Sequence, residues 1–216
     1  MPGPSPLIRY LRFFLWVAAA LLATPACTLA QDPSDPQAAM NRAIADFEAG
    51  RFDRAVDGFD TVVRLVPEAA PGLWQRGIAL YYARRWEDCR AQFELHRTVN
   101  PNDVENAVWH YLCVARLESP EAARASLLPV GPDRRSPMAE IYDMFGGRLA
   151  PDEVRAAAEG LQGEFYAHLY MGLYFEAQGE PSRAVAHIRS AAAGRYQAAG
   201  GYMHMVARVH LAALGE

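Results

Sequence analysis

The sequence predicts an all-α fold of the helical-repeat kind: a right-handed superhelix, or α-solenoid, with a non-repeat helix insertion and a C-terminal capping helix. The first observation is that the stretch 73–101, LWQRGIALYYARRWEDCRAQFELHRTVNP, reads as two helices joined by a turn, and its pattern recurs 34 residues upstream. Gly77 answers Ala43, Tyr81 answers Phe47, Trp86 answers Phe52, Cys89 answers Ala55, Phe93 answers Phe59 and Pro101 answers Pro67. A fixed period of this length marks helix pairs that bury their apolar faces only by stacking on neighbours. The second observation is that the same spacing returns near the C-terminus, at Gly172, Ala184, Ile188 and Ala191, after a stretch in which it fails.

Taken in order, the first thirty residues stand apart. Arg9 and Arg12 precede an apolar run over 13–23 that ends in small residues, the layout of a secretory signal peptide. The run is shorter than the roughly 20 residues a membrane-spanning helix needs, and Pro25 closes it. Two cleavage readings follow. Thr28-Leu29-Ala30 before Gln31 fits the small-x-small rule and releases a soluble protein into the periplasm or the extracellular space. Thr24-Pro25-Ala26-Cys27 resembles a bacterial lipobox, in which a lipidated Cys27 would anchor the chain to a membrane. The soluble form is expected, because Thr24 stands where leucine is usual.

Residues 31–36, QDPSDP, form a polar linker. The first repeat spans 36–69, with helices near 37–49 and 52–66 broken at Gly50-Arg51. The second spans 70–103, with helices near 72–83 and 86–99, and Asn100-Pro101-Asn102-Asp103 stops one helix and caps the next. A degenerate third repeat over 104–137 keeps Trp109, Tyr111 and Leu112 on its first helix and Ala123 at the expected small position. Its second helix opens at Pro120 and is cut short by Pro129, Gly131 and Pro132. Over 138–163 the period fails. Met138, Ile141, Tyr142 and Phe145 keep helical spacing, Gly146-Gly147 breaks the chain, and Pro151 opens another helix to about 161, so an inserted helix pair is expected. A fourth repeat covers 165–198, and a final helix over 201–214 carries Tyr202, Met205, Val206, Val209 and Leu214 in one stripe that caps the exposed end.

The chain is 51% hydrophobic and 21% charged, ordinary for a soluble protein, and all 21 of its basic residues are arginine. Removing 1–30 takes away two arginines and no acid, which moves the net charge from −4 to −6. Nucleic acid and anionic membrane surfaces are poor partners for such a chain, so membrane attachment would come through an N-terminal lipid. Cys89 and Cys113 fall on helices that the register packs together. They are either a disulfide of an oxidising compartment or two small buried thiols.

The 34-residue pattern of small, aromatic and proline positions is that of the tetratricopeptide repeat, TPR. The segment LWQRGIALYYARRWEDCRAQFELHRTVNPNDVENAVWHYLCVARL and the later FYAHLYMGLYFEAQGEPSRAVAHI resemble the TPR core of the NlpI-type bacterial lipoproteins, and of related uncharacterised TPR proteins of bacteria and plastids. The likeness covers about residues 70–196 and includes the irregular insertion. It implies a dimeric, non-catalytic envelope scaffold that brings processing and cell-wall-cutting enzymes together. The poor lipobox and the short region before the core depart from that pattern.

In a TPR solenoid the first helices line a concave face, with repeat positions two, five, nine, twelve and thirteen pointing into it. That register offers Met40, Ile44 and Phe47 from the first repeat, Trp74, Ile78, Tyr81 and Tyr82 from the second, and Val108, Leu112 and Arg116 from the third. An aromatic and aliphatic groove of this kind suits a protein or peptide partner, as an extended segment or an amphipathic helix. The alternative is that the last helix or a second subunit of a homodimer covers these side chains. Trp86 and Trp109 are expected in the core. Arg134 and Arg135, in a proline-flanked loop, are candidates for bidentate contact with an anion or for a solvated surface.

The six histidines have no zinc-motif spacing, and the chain has no nucleophile-elbow, phosphate-loop or dinucleotide signature. No catalytic residue, metal or cofactor is therefore expected. The reading is an exported non-catalytic scaffold. The alternatives are a structural homo-oligomer, and an enzyme or small-ligand binder in which His168, Arg134 and His210 converge near the insertion and the last helix.

Overall fold

A computed structural model describes residues 34–216, and among them every regular element is a helix. The signal peptide, Cys27 and the start of the linker lie outside the described residues. α1 (Pro36–Glu48) starts where the Asp35 side chain accepts a hydrogen bond from the Gln37 N–H at 2.9 Å, with Pro36 in the first turn. α2 (Phe52–Leu65) leads through a 3-10 segment over Pro67–Gly72 into α3 (Trp74–Tyr82) and α4 (Trp86–His96). α4 stops at His96, short of the expected 99, because residues 97–100 form a turn before Pro101.

One turn closes α1 and α3 alike. Gly50, in the left-handed region at φ 72°, donates to the Phe47 carbonyl at 2.9 Å, and Arg51 donates to Asp46 at 2.8 Å. Thirty-four positions on, Arg84 at φ 59° donates to Tyr81 at 3.1 Å, and Arg85 donates to Leu80 at 3.0 Å. This paired bond is the Schellman ending, which satisfies carbonyls the helix end would otherwise strand.

α5 (Val104–Leu117) is capped by Asp103, and α6 (Pro120–Ala125) by the Ser119 hydroxyl, which accepts from the Ala122 N–H at 3.1 Å. α7 (Met138–Phe145) and α9 (Gly160–Ala177) end on the same Schellman turn, at Gly147 and Gly179. Between them α8 (Pro151–Ala157) is shorter than expected, and α9 starts at Gly160 instead of near 165. The Ser136 hydroxyl accounts for both boundaries, since it donates to the Ala157 carbonyl at 3.0 Å and accepts from the Glu159 N–H at 3.0 Å. α10 (Pro181–Ala191) and α11 (Gln197–Ala213) complete the order, with a break inside α11 at Gly201, φ 51° and ψ −126°.

Successive helices pack on one another: α1 on α2, α2 on α3, α3 on α4, α4 on α5, α9 on α10 and α10 on α11. Small residues set their approach. A Cβ built on Gly77 would stand 2.7 Å from Phe93 Cζ, and one on Gly172 would stand 2.6 Å from Ile188 Cδ1. Cys89 and Cys113 are bonded, tying α4 to α5 with Cα atoms 5.9 Å apart. The one large departure is α11. It covers α10 and α9 as a terminal helix should, and it also reaches back to α1.

Candidate functional site

That return fills the face the register marked as a groove. Tyr202 of α11 stacks on Phe47 at 6.4 Å between centroids and meets Trp74 edge to face at 4.9 Å. Phe47, Ile78, Val108 and Leu112 are fully buried, Tyr81 is nearly so, and Met40, Ile44, Trp74 and Tyr82 are half-buried against the core. Phe47, Trp74 and Tyr82 thus meet α11 directly, and Ile78, Val108 and Leu112 are core, so little of this face is left as an open docking groove. The cause is that α11 is apolar on two sides. His204 turns to the Ala192 and Ala193 carbonyls at 3.2 and 3.1 Å, while His210, on the other side, meets the Tyr82 hydroxyl through Nδ1 at 2.9 Å.

His210 belongs to a polar clasp that holds the C-terminal half of α11. Its Nε2 stands 2.9 Å from Glu176 Oε2, an ion pair when the ring is protonated, although neither atom meets hydrogen-bond geometry. Arg116 donates to the other Glu176 oxygen and, through Nε, to the Tyr81 hydroxyl at 3.1 Å. Burial alone would raise the Glu176 carboxyl, but the His210 ring and the Arg116 guanidinium outweigh it and hold it below the usual range. Burial pushes the Tyr81 phenol up to about 12. Arg116 is thus engaged within the chain.

The N-terminal half of α11 packs less completely. Around Gly200, Tyr202 and Met203 it leaves a half-enclosed cavity of about 210 Å³ against α3, α4, α5 and α9. Its apolar wall is Trp74, Ile78, Phe93, Trp109 and Met203, and its polar wall is His96, Asp103, Glu105, Asn106, Tyr166 and Tyr202. Four of these carry a buried polar atom with no hydrogen-bond partner among the described residues: His96 Nε2, Asn106 Oδ1, Trp109 Nε1 and the Tyr202 hydroxyl. The first three residues are only 4, 2 and 1% exposed. His96 Nδ1 donates to the Pro71 carbonyl at 2.7 Å, which leaves Nε2 of the neutral ring as an acceptor.

One wall is acidic. Arg135 joins Asp103 at 2.8 Å, Asp133 at 2.6 Å and Glu105, so one guanidinium faces three carboxylates. Glu105 also accepts from the Tyr170 hydroxyl. Its burial outweighs Arg135 and raises its pKa, while the Arg135 bonds outweigh burial at Asp133 and lower it. Arg135 is committed to this cluster and is not an open anion contact. Its neighbour Arg134 is exposed.

The convergence of His168, Arg134 or His210 in one pocket, which the enzyme or small-ligand alternative required, is not found among the described residues. His168 lies in a separate, more polar depression of about 300 Å³ with Arg155, Glu164 and Arg195. Its Nδ1 faces His187 Nδ1 at 3.1 Å. No group of three His, Cys, Asp or Glu among the described residues could hold a metal ion, and no described helix is long and apolar enough to cross a membrane.

Of the cavity's polar residues, the sequence marks Asp103 only as a cap and Tyr202 only as part of the last helix, and it does not mark His96, Glu105, Asn106 or Tyr166. Glu105 occupies position two of the third repeat, a concave position by the same register, and was passed over for its apolar neighbours. Asn106 and His96 look like ordinary helix polar residues until packing buries them. No protein-family model matches the chain.

Proposed function

We propose that the chain is an exported, non-catalytic binding protein built of TPR-like helical repeats, whose groove is closed by its own last helix except for one cavity that takes a small ligand. The recurrence of one Schellman turn 34 positions apart, with the small residues at Gly77 and Gly172, supports the repeat architecture. The bonded Cys89 and Cys113 suit an oxidising compartment, which supports export alongside the basic-then-apolar N-terminus. Binding to a protein partner along the concave face has little surface to use, because α11 lies on it.

The observation that carries the ligand reading is the cavity whose lining residues hold four orphaned polar atoms. Buried polar groups are nearly always paired, so four orphaned atoms on the residues that line one space support a polar occupant. The test is a fragment screen by ligand-observed NMR on the mature protein beside Met203→Trp, which fills the space. Fragments that bind the parent and are lost in a folded Met203→Trp support the reading. Fragments that bind both proteins equally, or neither, overturn it.

A further inference from the structure

We infer that the cavity accepts a compact organic ammonium ion that also offers a hydrogen-bond acceptor, an amino alcohol of about eight non-hydrogen atoms; this rests on the ligand reading above. Size comes first. A cavity of roughly 150 Å³ holds benzene, with six carbons, so about 210 Å³ scales to about eight atoms.

Charge comes second. The lining residues include no arginine, and their permanently ionisable groups are the carboxyls of Asp103 and Glu105. Arg135 pairs with both and with Asp133 behind them, three carboxyl groups to one guanidinium, so the wall is net negative even when Glu105, whose pKa burial raises, carries a proton. Trp74, Phe93, Trp109, Tyr166 and Tyr202 add aromatic rings to the lining, and ring faces attract cations, as the Arg135 guanidinium 5.6 Å from the Tyr166 centroid already does from outside the cavity. An anionic occupant would meet like charge in a half-buried space, where screening is weak.

Hydrogen-bond capacity comes third. Asn106 Oδ1 needs a donor, as does His96 Nε2 in the tautomer that donates from Nδ1, Trp109 Nε1–H needs an acceptor, and the Tyr202 hydroxyl serves as either. A primary ammonium brings up to three donors and no acceptor. A neighbouring hydroxyl oxygen supplies the acceptor for Trp109, and a short alkyl group fits Ile78, Phe93 and Met203.

The experiment is isothermal titration of the mature protein with three matched probes: leucinol, the neutral 4-methylpentane-1,2-diol and the anionic 2-hydroxy-4-methylpentanoate. Leucinol should bind about tenfold or more tightly than the diol, in line with a desolvated cation–aromatic contact, and the anion should bind most weakly. Asn106→Leu, which removes an orphaned atom without removing volume, should weaken leucinol about tenfold. Trp109→Phe gives a second variant that keeps an aromatic side chain, of smaller volume, and deletes the N–H. Equal binding of leucinol and diol, both lost in Met203→Trp, overturns the ammonium inference and leaves the cavity reading standing. Tighter binding of the anion does the same. If no probe binds and the fragment screen is also empty, both fall.

Discussion

Arg84 holds the left-handed position that Gly50 and Gly179 hold in the matching turns, at φ 59° against 72° and 77°. An L-residue there costs roughly 1–2 kcal/mol in backbone strain, and glycine gives back roughly 0.4–1 kcal/mol through its freer unfolded chain. Arg84→Gly should therefore stabilise the protein by about 0.5–1 kcal/mol. Arg84 is exposed, so little else changes. For a chain of this length that is a rise in Tm of about 1–4 °C, read by calorimetry and by urea midpoint at constant m. The reverse substitutions supply the control. A Cβ built on Gly50 or Gly179 meets nothing within 4 Å, so alanine there carries only the backbone cost and should destabilise by about 1 kcal/mol. A neutral or destabilising Arg84→Gly, with neutral Gly50→Ala and Gly179→Ala, would refute the shared-turn argument.

Gly172→Ala places a Cβ 2.6 Å from Ile188 Cδ1 and should cost about 1–3 kcal/mol despite alanine's helix preference; a double-mutant cycle with Ile188→Val should show positive coupling. His187 has its pKa lowered from the usual 6.5 to about 4 by burial and by the charge of His168, Arg155 and Arg183. The unfolded chain therefore binds the extra proton first, and stability falls as pH drops from 6.5 towards 4; His187→Gln should flatten part of that fall in a Tm–pH series. Reduction of the Cys89–Cys113 bond, which closes a separation of 24 residues, should lower stability by about 3 kcal/mol on the loop-entropy estimate, seen as a drop in urea midpoint under reductant. Ligand-free Asn106→Leu should gain about 1 kcal/mol, because it removes a buried acceptor with no partner; a loss of that size would show that Oδ1 is already bonded.

Local chemistry made much of the helix order legible. Pro36, Pro120, Pro151 and Pro181 each sit in a first helical turn, and Gly50, Gly147 and Gly179 each close a helix, as their residue types dictate. The boundary between α8 and α9 was not legible, because it rests on Ser136, more than twenty residues away from Ala157 and Glu159. The filling of the groove was half legible. His204 and His210 stand about 120° apart around α11, and a helix with polar anchors and buried apolar residues on two sides is one that two neighbours cover. Which neighbours they are depends on the path of the whole chain. The cavity was the least legible, since it needs α3, α4, α5, α9 and α11 at once.

The cavity exists because α11 breaks where it does. Gly200 lines it, and a Cβ there would meet Phe165 Cζ at 2.8 Å, so the chain before the break must stay bare of side chain. Gly201 then takes a backbone that L-residues avoid and sets Tyr202 and Met203 against the opening. Leaving one buried polar group unpaired costs roughly 1–3 kcal/mol, a cost that an occupant or an ordered water removes. Leucine at Asn106 and phenylalanine at Tyr202 would each keep an apolar body in place and remove an orphan, and phenylalanine at Trp109 would remove the N–H with some loss of volume. Packing therefore gives no reason for those three polar groups to be there together, whereas an occupant with two donors and an acceptor gives one reason for all of them.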